Sequence, residues 1–169
     1  MIPAALVSVD EYLNTDYSPD CDYVDGVPED RNVGLKTHGR AQAAILHFLH
    51  QRRDELNILV LMAMRVRLSV TRVRVPDLCV MLGEGPDEQV FTTAPFLCIE
   101  VLSPNDRMSR MHEKIRDYLG MGVRYVWLID PYARLAWIHT RDGAVEAKDG
   151  MLRTTDPLIE MPLADVMPA

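Results

Sequence analysis

Apolar residues recur at helical spacing from Thr37 to Asn57. Ala41, Ala44, Ile45, Phe48, Leu49 and Leu56 fall on one stripe, with Arg52 at its border, and that pattern predicts the longest helix of the chain. Upstream, Ser8-Val9-Asp10-Glu11 has the form of a capping box and opens a short helix to about Asn14. Cys21 to Val27 reads as an extended piece broken at the turn dipeptide Asp25-Gly26. After the long helix, Ile58 to Leu68 and Arg72 to Leu82 read as two strands joined by a turn at Ser69-Val70-Thr71, with a loop over Gly83 to Val90. Phe96 to Leu102 is almost wholly apolar, the pattern of a strand buried on both faces. A helix follows from about Ser103 to Met121, stopped by Gly120 and Gly122, then a strand over Arg124 to Ile129. Arg134 to His139 and Ala144 to Lys148 form a hairpin around Asp142-Gly143, and the tail with Pro157, Pro162 and Pro168 reads as loop or edge cover.

The order helix, strand, strand, strand, helix, strand, hairpin is an α/β (α+β) arrangement, a mixed sheet flanked by helices. The strands on either side of the second helix are expected to run parallel. The 169 residues fit a single domain over 1–169, with a core at about 37–131 and a hairpin and tail over 132–169. The longest unbroken apolar run, Ile58 to Met64, has seven residues, far short of the roughly 20 that span a bilayer. Met1 to Ala5 lacks the basic and long apolar regions of a signal peptide. Cys21, Cys79 and Cys98 form no CxxC and no zinc spacing, and a reducing cytoplasm is the expected setting.

The net charge of −7 argues against a general nucleic-acid coat protein, but the charge is segregated. Residues 1–30 hold eight acids and no Lys or Arg, whereas residues 31–74 hold nine bases and two acids. That basic block is either a phosphate-facing surface or a solvated face balanced by its neighbours. Within it, two-residue alternation puts Arg65 with Arg67 and Arg72 with Arg74; if the turn between pairs the two strands, four guanidiniums cluster for phosphate contact, or face solvent beside acids.

Three positions are out of character. Asp77 follows Pro76 just before an apolar run, and Glu100 lies inside Leu97-Cys98-Ile99-Glu100-Val101-Leu102. A carboxylate in a buried strand is costly unless paired or bound to a metal. Two on adjacent strands suit a hard divalent cation such as Mg²⁺; the other reading is an ion-paired Glu100 and a strand-end Asp77. Lys114 borders the helix stripe of Met111, Ile115, Tyr118 and Met121, and either snorkels over the core edge or reaches toward the strand that carries Glu100. There is no HExxH, P-loop, GxGxxG or GxSxG.

Taken together, these residues resemble the Uma-two family of restriction-endonuclease-type proteins in the PD-(D/E)XK nuclease superfamily. The resemblance is carried by Val7-Ser8-Val9-Asp10-Glu11-Tyr12-Leu13, Asp22-Tyr23-Val24-Asp25-Gly26, His38 ahead of the long helix and Val75-Pro76-Asp77. It continues through Ile99-Glu100-Val101-Leu102-Ser103-Pro104, Lys114 with Tyr118, and Gly122 to Pro131 (GVRYVWLIDP). It implies a restriction-endonuclease-like core with an added C-terminal β-hairpin. It also implies that Asp77, Glu100 and the Val101 carbonyl bind Mg²⁺ or Mn²⁺. The lysine common two residues after the Glu is replaced by Leu102, and the family's helix lysine corresponds to Lys114. Asp22 aligns with a family Glu and, with His38, is placed in support of the site. Arg110 stands where many relatives carry Asp. The activity implied is hydrolysis of DNA phosphodiesters by a metal-activated water, in a homodimer. The alternatives are a catalytically inactive module of the same fold, binding nucleic acid or a protein partner, and a hydrolase of small phosphoesters.

Overall fold

The computed structural model describes residues 6–31 and 34–167; the N-terminal reading on Met1 to Ala5 and the tail residue Pro168 lie outside them. In chain order the elements are α1 (Val9–Leu13), β1 (Cys21–Val24), β2 (Val27–Asp30), α2 (Lys36–His50), α3 (Arg53–Leu56), β3 (Ile58–Met62), β4 (Val66–Ser69), β5 (Arg72–Arg74) and β6 (Leu78–Leu82). Then come β7 (Leu97–Val101), α4 (Met108–Met121), β8 (Tyr125–Asp130), β9 (Leu135–Thr140), β10 (Gly143–Glu146), β11 (Met151–Arg153), β12 (Glu160–Pro162) and α5 (Leu163–Val166).

Six strands form the central sheet in the order β10-β9-β8-β7-β6-β3. Its β7–β8 pair is parallel, as a helical crossover requires, and its other pairs are antiparallel. Alternation along the strands sends Leu78, Val80, Leu97, Ile99, Trp127 and Ile129 to one face, under Ala41, Ile45, Phe48 and Leu49 of α2. It sends Cys79, Cys98, Val126 and Leu128 to the other, under Met111, Ile115 and Tyr118 of α4. Burial on both faces explains why β6, β7 and β8 are nearly continuous apolar runs.

A second sheet, β2-β1-β5-β4, packs with α1 around Tyr12, Cys21, Tyr23 and Val73. Ser8 caps α1 as its sequence suggests, with its hydroxyl accepting the Glu11 N–H at 3.1 Å. The Asp25-Gly26 turn joins β1 and β2 with both residues at positive φ.

Two of the expected strands are each divided between the sheets. Ile58 to Leu68 breaks after β3, where Ala63 adopts a φ of 49° and donates its N–H to the Asp77 carbonyl. Arg72 to Leu82 breaks at Val75-Pro76-Asp77, since proline cannot donate to a ladder. The hairpin β4–β5 thus leaves the central sheet for the second one, and the chain returns through Asp77. The expected long helix divides as well: α2 ends at His50, and α3 ends on Asn57 in the left-handed conformation. Gly122, with φ 111°, closes α4.

The tail is more than cover. It supplies the β11–β12 hairpin and α5, and Leu152, Ile159, Met161 and Val166 are fully buried against α2 and the central sheet. Pattern reading missed this because the strands are three residues each, too short for alternation to show. Among the described residues no helix is long and apolar enough to cross a membrane.

Leu152→Ala is expected to destabilise the protein by about 2–5 kcal/mol, as a fully buried leucine does on truncation, measured by urea unfolding. A tail that merely covered an edge would leave the midpoint nearly unchanged.

Candidate active site

The register of β6 against β7 pairs Leu78 with Ile99 and Cys79 with Cys98. Continuing it by one residue sets Asp77 alongside Glu100. By the same alternation both carboxylates point to the side of the sheet that α4 covers. There α4 presents Lys114 and Tyr118, four residues apart and therefore on one face. From the second sheet, β1 brings Asp22 and β5 brings Arg74. From the α2 side comes His38. Asp22, His38, Asp77, Glu100, Val101 and Lys114 all line one cavity of about 330 Å³.

Each buried charge has partners. Asp77 Oδ2 accepts the Val101 N–H at 2.8 Å and lies 3.3 Å from His38 Nε2; its Oδ1 accepts from Arg31 Nη2 at 3.0 Å. Lys114 Nζ donates to Glu100 at 3.0 Å and to the Val75 carbonyl at 3.3 Å, and lies 3.8 Å from Asp22 Oδ2. Tyr118 donates its hydroxyl to Glu100 Oε1 at 2.7 Å. Asp22 accepts the Val75 N–H at 2.8 Å and pairs with Arg74 at 3.3 Å. Lys114 therefore reaches inward to the strand rather than snorkelling outward.

The electrostatics divide the two carboxylates. Burial raises the Glu100 carboxyl to about 7, with Asp77 pushing the same way and Lys114 opposing. Burial also acts to raise Asp77, but the hydrogen bond with His38, the charge of Lys114 and the Val101 N–H outweigh it and hold it below the usual carboxylate range. Burial acts to lower Lys114, and Asp22 and Glu100 more than reverse this, so the ammonium stays charged. Burial likewise opposes protonation of His38, while its bond to Asp77 raises it above the ordinary value.

Asp77 and Glu100 are hard oxygen donors of the kind Mg²⁺ and Mn²⁺ take, with Val101 beside them on the cavity wall. Among the described residues no three His, Cys, Asp or Glu side chains form a ready metal cluster. Mg²⁺ does not require one, since it is held by one or two carboxylates and keeps several waters. The donor set fits the cation.

The expected cluster of four guanidiniums at Arg65, Arg67, Arg72 and Arg74 does not form. The β4–β5 register sets Arg67 opposite Val73 and Val66 opposite Arg74, so the two arginine pairs lie on opposite faces. Arg74 is buried against Asp22 and Asp117, and Arg72 binds Asp25, Glu113 and Asp117. Arg65 is tied to Asp20 and to the carbonyls of Leu13 and Thr15. Arg65, Arg72 and Arg74 bind acids within the fold instead of waiting for phosphates. The α4 acids that take Arg72 and Arg74, Glu113 and Asp117, are four residues apart and share one helix face. The sequence reading also missed Arg31, whose place just after β2 carries no pattern signal.

The central sheet and its flanking helices thus bring Asp77, Glu100 and Lys114 to one cavity. The chain belongs to the Uma2 family, described as "putative restriction endonuclease", whose model matches residues 9–165. It is similar in fold to the crystal structure of a "putative nuclease belonging to DUF820" from Anabaena variabilis. The TM-score is 0.81 at 18% identity, covering 95% of this chain and 97% of that one. No curated protein matches the chain at a significant level.

The Glu100 shift has a defined sign. Its folded value of about 7 lies above the ordinary 4.5, so the folded state holds a proton that the unfolded chain has released between those pH values. The stabilisation this gives is complete below about pH 4.5 and is lost as pH rises through about 7. Relative to Glu100→Gln, the wild type is expected to lose roughly 3 kcal/mol between pH 4.5 and 8, read by urea unfolding in EDTA. A pH-independent difference between the two proteins would contradict the burial argument.

Proposed function

We propose that this protein is a divalent-metal-dependent endonuclease that hydrolyses DNA phosphodiester bonds, with Asp77, Glu100 and the Val101 carbonyl as metal ligands. The observation that carries this reading is the convergence of Asp77, Glu100 and Lys114 on one cavity from two strands and a helix of separate parts of the chain. Packing alone gives no reason to bury three ionisable side chains together, because each costs several kcal/mol to desolvate.

A divalent cation held by Asp77, Glu100 and the Val101 carbonyl would supply an acidified water and positive charge for phosphodiester hydrolysis. The residues do the rest. Asp77 stays ionised because Oδ2 is fixed by the Val101 N–H and His38. Glu100, poised near neutrality, is oriented by Tyr118 and Lys114. The Lys114 ammonium, held between Glu100 and the Val75 carbonyl, is placed to steady negative charge as it develops on the phosphoryl group. Asp22 fixes the Val75 peptide and lies beside Lys114, a supporting role. DNA as substrate and action as a homodimer belong to this proposal through the family resemblance, and a cytoplasmic setting through the three unpaired cysteines.

One observation favours a second reading, a catalytically inactive module of the same fold: protein cations already pair with both carboxylates. The two readings separate in a cleavage assay on plasmid DNA with Mg²⁺ or Mn²⁺. Asp77→Ala and Glu100→Ala are expected to abolish cleavage with circular dichroism unchanged. Lys114→Ala is expected to lower it by about 10²–10³-fold, the usual loss of one aimed charge-stabilising group. Wild-type protein that binds DNA without cutting it, or variants that cut as well as wild type, would overturn the nuclease reading.

A further inference from the structure

The cavity's three inner cations are not equivalent. Lys114 is fixed by Glu100 and Val75 and lies beside Asp22, while Arg74 is fixed by Asp22 and Asp117. Arg31 differs on two counts. Its side chain is 21% exposed, against 3% for Arg74 and 11% for Lys114, and among the described residues its ion pair is to Asp77 alone. The atom it holds matters as well. The fold itself satisfies Asp77 Oδ2, through the Val101 N–H and His38, whereas Oδ1 is bound by Arg31. Oδ1 is the oxygen this carboxylate has left to offer a ligand, and a guanidinium covers it.

We propose that Arg31 is an exchangeable latch: it occupies Asp77 Oδ1 in the metal-free protein, yields that oxygen to an entering divalent cation, and transfers its guanidinium to the phosphate that enters with the cation. The proposal rests on the metal-dependent nuclease reading and adds a regulation to its site. The exchange leaves the cavity one positive charge richer, since a divalent cation brings +2 and a phosphodiester −1 while the displaced guanidinium stays beside the phosphate. Guanidinium suits both positions because its planar fork fits carboxylate and phosphate alike. Arg107 and Arg110, exposed residues of the cavity lining at the start of α4, offer an entering phosphate two further cations, beside the acids Glu29, Asp30 and Asp106 of the same lining. Arg31 is thus a positioning residue that keeps the carboxylate geometry intact without metal and makes metal entry favourable when a phosphate is present.

The test is calorimetric titration of Mn²⁺ into wild type, Arg31→Ala, Arg110→Ala and Asp77→Ala, with DNA absent. A structural role for Arg31 would make its loss weaken binding. The latch makes its loss strengthen binding, because the competitor for Oδ1 is gone. Arg31→Ala is expected to bind Mn²⁺ about tenfold more tightly than wild type, the scale of one charged hydrogen bond removed from competition. Arg31→Lys should fall between, and Asp77→Ala should lose the binding. Arg110→Ala, which removes an equal charge from the same cavity without touching Asp77, should shift affinity less than about twofold. A parallel fluorescence titration with a DNA duplex in Ca²⁺ should show weaker DNA binding by Arg31→Ala. If wild type binds Mn²⁺ through Asp77 and Arg31→Ala binds no more tightly, the latch is wrong and the nuclease reading stands. An equal gain in Arg110→Ala would also overturn the latch, leaving only a general field effect. Absence of Mn²⁺ binding in both wild type and Arg31→Ala would overturn the latch and the metal site together.

Discussion

The fold is organised around two carboxylates that are buried side by side at one end of a sheet. Asp77 and Glu100 are 6% and 2% exposed, and the register sets them on neighbouring strands. Desolvation makes such a pair expensive, and like charge makes it more so. The surrounding elements are arranged to offset that cost. From α4 come Lys114 and Tyr118 onto Glu100, and Val101 and His38 complete one oxygen of Asp77. The pair still does not reach full compensation, since Glu100 is left near neutrality. A site in this condition is one that a further positive charge would stabilise.

The second sheet has its place in the same account. It carries no large core of its own beyond Tyr12, Cys21, Tyr23 and Val73. Its position against α4 is fixed by Val66 and Leu68 of β4, which pack into the cluster of Met111, Ile115 and Tyr118, and by ionic contacts, Arg72 and Arg74 gripping Glu113 and Asp117 at 2.6–3.6 Å. Partly buried pairs of this kind contribute more to specificity of arrangement than to net stability. Here the arrangement they secure is the placement of Asp22 beside Lys114 and the Val75 peptide. The division of two apolar runs between the sheets serves the same end, because the return from β5 to β6 delivers Asp77 to the end of the central sheet, alongside Glu100.

Much of this was readable in the residues. The alternation and the near-continuous apolar runs marked β6, β7 and β8, and the parallel β7–β8 pair follows from the helix between them. Asp77, Glu100 and Lys114 stood out because each violates the pattern around it, which is where a functional position departs from folding logic. Other features were not readable. The breaks at Ala63 and Pro76 depend on which sheet each half joins, a tertiary choice that local propensity does not encode. The tail's contribution rests on single residues such as Leu152 and Met161 in very short strands. For Arg65, Arg72 and Arg74 the pattern left phosphate contact and acid-balanced pairing both open, because the acids that take them up lie more than 40 residues away, on α4 and in the N-terminal part of the chain. Arg31 had no signal at all, being one basic residue just after β2.

The proposed function makes the carboxylate pair a cation site. The most direct measurement is a crystal structure of the protein soaked in Mn²⁺, with anomalous scattering recorded at the manganese edge. A cation site there gives a single strong anomalous peak in the cavity, within about 2.0–2.6 Å of Asp77 Oδ1, a Glu100 oxygen and the Val101 carbonyl. A cavity without anomalous density, with Asp77 still bound to Arg31 and Glu100 to Lys114, would contradict it.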